Sequence, residues 1–172
     1  MPGNEEIDPH VERRKDPEGV HTETWKRVLE QMDAIADDRR DDGWEVLTIM
    51  AGHTNTVGRD GDESKKFGLC HIVPNKKAEA FEDFYDEETF TEYLAYGTSV
   101  GVFMYVVTEL IDPTNDRSVL IASRYDMSYA KAMIQDAERE GVLYTHVQTL
   151  DGTVIGSFEH EEYAPLITKP GA

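Results

Sequence analysis

A single cysteine, Cys70, in 172 residues leaves no internal disulfide to form. That excludes a disulfide scaffold and points to a reducing compartment. Basic residues are scarce too: 17 Lys and Arg stand against 35 Asp and Glu, a formal net charge of −18. No positive stripe exists to displace counterions from a phosphate backbone, so direct nucleic-acid binding is not expected. Long apolar runs are also missing, because the longest, residues 100–107, is far too short to span a bilayer. The first residues, Met1-Pro-Gly-Asn-Glu-Glu6, have neither the basic start nor the apolar stretch of a signal peptide. A cytoplasmic protein with no membrane association is expected.

What is present suffices for one core. Hydrophobic residues make up 39% of the chain, so the charge does not imply disorder throughout. The length suits a single domain, read here as residues 21–160, with a flexible N-terminal arm at 1–20 and a polar C-terminal tail at 161–172. The acid is spread along the chain instead of gathered in a tail. At molar salt the screening length shrinks to about 3 Å, which relieves the self-repulsion of such a surface. Salt adaptation is therefore the simplest reading of the charge. A nucleic-acid mimic or a partner for a basic protein does not need acid so evenly dispersed.

Periodicity then gives the elements. Trp25, Val28, Leu29, Met32, Ile35 and Ala36 recur at helical spacing from a Thr22 cap to a stop at Gly43. Residues 44–51 read as a strand, 52–66 as a polar loop and 67–73 as a second strand. Asn75 and Asp86 predict caps for two helices, the second running through Phe90, Tyr93 and Leu94 to Gly97. Residues 101–111 and 118–125 form a hairpin around an Asp112-Pro-Thr-Asn-Asp116 turn, and a helix follows, ended by Gly141. A last hairpin, 142–150 with 153–158, turns at Asp151-Gly152. The sum is an α+β fold: a mainly antiparallel sheet with helices packed chiefly on one face. Trp25, Leu29 and Met32 are expected to pack on Val46, Val106 and Ile121.

Motifs that carry chemistry are few. No phosphate loop, nucleophile elbow, paired-cysteine zinc site or His-Glu-x-x-His helix occurs. The acidic run at 60–63 lacks the alternating oxygen ligands of a calcium loop, and no metal site is assigned. Cys70 and His71 are adjacent on a strand and point to opposite faces, which places the cysteine in the core and prevents joint chemistry. His53 stands where a strand yields to polar residues, beside Thr54, Asn55 and Thr56.

Alternation on strands offers the best candidate site. Tyr144, His146 and Gln148 share one face of their strand, Tyr105 and Glu109 one face of theirs, with Arg124 on the neighbouring arm. On a shared side they form a polar, aromatic floor opposite the helices, with His146 accessible. That floor suits a small anionic ligand, with Arg124 as its cation, the rim of a homodimer contact, or an ordinary solvated face.

The segment from Leu143 to Tyr163, rich in hairpin and surface residues, resembles haloarchaeal proteins of a domain-of-unknown-function family, and the likeness extends back to about Trp25. It implies salt adaptation and no activity or cofactor. Two classes of function remain. One is a non-catalytic binding or assembly module. The other is a small-molecule enzyme or ligand-binding protein using the polar sheet face, with His146 or His53 as acid or base near Glu109 or Arg124.

Overall fold

The computed structural model describes residues 19–59 and 66–168, so most of the expected N-terminal arm and the end of the tail lie outside the described residues. Helix α1 (Val20–Asp41) is followed by strands β1 (Glu45–Met50), β2 (His53–Val57) and β3 (Gly68–Ile72). Helix α2 (Asn75–Phe84) leads to β4 (Glu92–Val100), β5 (Phe103–Asp112) and β6 (Arg117–Asp126). A short 3-10 turn precedes α3 (Lys131–Glu140), then come β7 (Leu143–Gln148), β8 (Val154–His160) and the single-turn helix α4 (Ala164–Ile167).

Helices and strands are both present, as an α+β chain requires, but the strands form two sheets in place of one. Sheet A runs β1-β6-β5-β4 and sheet B runs β2-β3-β7-β8. Both are mixed: β1 lies parallel to β6 and β3 parallel to β7, while the other neighbours are antiparallel. The sheets pack face to face, and α1 covers the outer side of sheet A. With both faces covered, β5 and β6 are buried along nearly their whole length. That is why they read in sequence as continuous apolar runs.

Three apolar clusters hold these layers. Val28, Met32 and Ala36, spaced one helical turn apart, seat α1 on Tyr105, Val107, Leu120 and Ala122. Leu29 and Trp25 are only partly buried beside that line, and Val106 and Ile121 face the opposite way, toward sheet B. The expected helix face therefore holds, with Trp25, Leu29 and Met32 packing beside Val46, and the correction falls on Val106 and Ile121 alone. Between the sheets, one cluster gathers Ile49, Leu110, Ile121 and Val147 around Phe81 of α2, and another gathers Leu69, Met104, Val106 and Leu143 around Met133 of α3.

Other differences have local causes. The α1 helix begins at Val20, before Thr22, with Gly19 in a left-handed conformation at its start and no side-chain cap. Residues 53–57, read as loop, pair antiparallel with β3 as an edge strand whose side chains are mostly polar. The helix expected from Asp86 is strand β4. Asp86 accepts a hydrogen bond from the Glu88 backbone in a turn, and Tyr93 and Ala95 then alternate inward. Beyond residue 160, Leu166 is fully buried and its carbonyl accepts a hydrogen bond from the Tyr125 hydroxyl. Among the described residues no helix is long and apolar enough to cross a membrane.

Candidate functional site

The six residues expected to share a floor fall into two groups on opposite outer faces of the sandwich. Tyr105 and Glu109 lie on the outer face of sheet A, beneath α1, and both are fully buried. The Tyr105 hydroxyl meets the His21 ring at 2.5 Å. Glu109 accepts hydrogen bonds from Arg39 and Ser118. The six thus form no common floor, and helix α1 lies over Tyr105 and Glu109 where open surface was expected.

Tyr144, His146 and Gln148 lie on the outer face of sheet B, since Leu143, Thr145 and Val147 turn inward. His146 is buried, contrary to expectation, with 6% of its surface exposed. Its Nδ1 meets the Ser157 hydroxyl at 2.7 Å, and burial lowers its pKa. Cys70 is directly opposite His146 in the β3–β7 register and shares this outward face, while His71 points between the sheets. The expected placement of Cys70 and His71 is thus reversed. The Cys70 thiol donates to Gln148 Oε1 at 2.7 Å, and burial raises its pKa, which disfavours a reactive thiolate.

Arg124 is directly opposite Tyr105 in the β5–β6 register and opens onto a cleft. It is exposed at the C-terminal part of β6, its guanidinium carbon 4.7 Å from the centre of the Phe103 ring. β2 runs past this end of β6, so the cleft of about 360 Å³ is walled by His53, Asn55 and Thr56 on one side and by Arg124, Asp126 and Tyr129 on the other. His53 Nε2 lies 2.8 Å from Asn55 Oδ1, and with the nitrogen donating, the Asn55 amide hydrogens remain directed elsewhere. Thr56 donates to the Tyr129 carbonyl and ties the two walls together. Asp126 is engaged by the Ser128 backbone and hydroxyl. Among the described residues no carboxylate lies within ion-pair distance of Arg124.

This cleft joins His53 and Arg124, one of the pairings weighed from the sequence for an enzyme. Asn55 and Tyr129 complete it. Their signal was the polar alternation from His53 to Val57, which marks an edge strand as well as it marks a loop. Chemically the walls offer a guanidinium fork, an amide, a phenol and an imidazole, a donor-rich set suited to an oxyanion. Among the described residues no three His, Cys, Asp or Glu side chains converge on a metal position.

Behind the cleft, a polar belt crosses the core. Thr54 of β2 bonds His71 of β3 at 2.9 Å, and Thr145 of β7 bonds His160 of β8 at 2.7 Å, all four side chains facing sheet A. Thr108 and Ser123 lie across from them on the inner face of sheet A. The belt separates the two apolar clusters between the sheets.

Comparison with known proteins adds a family and no activity. Residues 11–168 match the model of a family of unknown function (DUF7529). No curated protein and no solved structure matches the chain.

Proposed function

Because the chain belongs to this family, whose description assigns no activity, we propose from geometry alone that it is a non-catalytic binding module taking a small carboxylate or phosphate ester at Arg124. The observation that carries the reading is a guanidinium with no acidic partner among the described residues, in the wall of a cleft of about 360 Å³, in a chain of net charge −18. Nearly every other surface of such a protein repels an anion. The proposed setting is a salt-adapted cytoplasm, where the evenly spread acid is screened and short-range hydrogen bonds decide binding.

Calorimetric titration in molar KCl with a panel of small dicarboxylates and phosphate monoesters tests this. At least one should bind with a single site. Arg124→Ala should weaken it at least tenfold, and Arg124→Lys, which keeps the charge but loses the fork, should fall between. No binding by any member, or binding untouched by Arg124→Ala, would overturn the proposal.

Self-association is the second reading, favoured by the nine-residue strand β4 at the edge of sheet A, with Leu94 exposed on it. A homodimer in light scattering that is lost in Leu94→Lys would support it. A monomer at all concentrations would remove it.

A further inference from the structure

Seven large apolar or aromatic side chains stand exposed among the described residues, and three of them, Val20, Val102 and Tyr129, gather at the end of the molecule that holds the anion cleft. Tyr129 lines the cleft itself. Val102 adjoins Phe103 of the same lining, and Val20 precedes His21, whose ring is 5.2 Å from that of Phe103. A cleft lined by a cation is thus bordered by apolar surface, which on so charged a protein marks a contact with something other than water.

Tyr129 is the most open of these, 78% exposed, yet its backbone is pinned. Its carbonyl accepts from the Thr56 hydroxyl at 3.0 Å, the Ala130 amide closes the 3-10 turn on the Met127 carbonyl, and the Met127 amide donates to the Val102 carbonyl at 2.7 Å. A tyrosine has only two side-chain torsions to fix, so a ring held out on a rigid turn loses little freedom when a partner covers it. Arg124 stands in the same wall with Phe103 behind its guanidinium, which leaves the exposed side of the cation toward the cleft.

Which anion follows from this pairing. An aliphatic acid uses the guanidinium and leaves the tyrosine ring wet. A long alkyl chain would lie against His53 and Asn55 of the facing wall and cover polar groups that it cannot satisfy. A flat ring bearing its charge directly meets both features at once, because the anion takes the guanidinium fork while the ring stacks on the phenol. We propose that this cleft takes an aromatic acid, with its carboxylate or phosphate on Arg124 and its ring on Tyr129.

The aromatic specificity rests on the anion site at Arg124, and titration separates the two. Calorimetry in molar KCl compares phthalate with its saturated analogue hexahydrophthalate, and phenyl phosphate with cyclohexyl phosphate, pairs alike in charge and skeleton that differ in the flat ring. The aromatic member of each pair should bind at least about threefold more tightly, as one stacked ring pair allows. Tyr129→Ala should remove that preference and Tyr129→Phe should keep it, both variants melting as the parent does because the side chain is exposed. Arg124→Ala should weaken every ligand that binds. Equal binding within each pair, lost in Arg124→Ala, leaves the anion site standing and overturns the aromatic specificity. A preference that survives Tyr129→Ala overturns it too, since the ring is then read elsewhere. No binding by any of the four removes both.

Discussion

Arg39 of α1 grips Glu109 of β5 through two parallel hydrogen bonds, Nε to Oε2 at 2.8 Å and Nη2 to Oε1 at 3.0 Å. Glu109 is fully buried, and Ser118 supplies a third bond at 2.7 Å. The same guanidinium lies 5.0 Å from the Trp44 ring, and the glutamate raises the arginine pKa further. The pair fixes the C-terminal part of α1 on sheet A, so its disruption should be read as lost stability.

Removing one partner strands the other's charge in the interior. Arg39→Ala should therefore cost about 3–5 kcal/mol in urea denaturation, whereas Arg39→Met with Glu109→Leu should recover most of the loss. A cost below about 1 kcal/mol for the single change would mean that the hydroxyl groups around Glu109 satisfy it unaided.

Gly68 makes a sharper demand on the backbone. Its φ is +151°, and a Cβ there would stand 2.0 Å from the Tyr144 carbonyl oxygen of the neighbouring strand. No side-chain rotation relieves a clash with backbone, so Gly68→Ala should part β3 from β7 and cost more than about 3 kcal/mol. Gly52→Ala is the control, because the nearest atom to its Cβ is at 3.9 Å, and it should change stability by less than about 0.5 kcal/mol. Similar melting temperatures for the two variants would contradict this account.

Much of the fold was legible because its signals are local. The Asp112–Asp116 turn, the Asp151-Gly152 hairpin and the Gly141 stop all rest on residues that dictate their own conformation, and Asp116, Gly141 and Gly152 have positive φ. Strand β4 was misread because Asp86 and the apolar residues at 90, 93 and 94 fit a helix as well as a strand. Only pairing with β5 decides between them. The site failed for the same physical reason. Alternation correctly puts Tyr105 with Glu109 and Tyr144 with His146, but it says nothing of which sheet each joins or where α1 comes to rest. Arg124 was legible as a cation, and its cleft was not, because the cleft depends on β2 passing the end of β6.

The polar belt makes the last prediction, on pH. Burial, together with the charge of His146, lowers the His71 pKa to about 4, and burial with His71 lowers that of His160 to about 3. Both start from an ordinary value near 6.5 in the unfolded chain. The unfolded state thus binds more protons than the folded one at every pH below about 6.5, so stability must fall as pH falls through this window. The effect is absent above about 6.5, and each histidine should contribute a slope of about 1.4 kcal/mol per pH unit until its folded pKa is reached. Carboxylates titrate in the same range, so only the difference between variants isolates the histidines. Urea denaturation from pH 7 to pH 4 in molar KCl, comparing the parent chain with His71→Gln and His160→Gln, reads that difference whatever stability the substitutions themselves remove. Each variant should lose about one proton's worth of slope between pH 6 and pH 4.5. Slopes parallel to the parent's would mean that the belt already carries protons in the folded state and that its unpartnered nitrogens, His71 Nε2 and His160 Nδ1, are met by groups able to hold the charge.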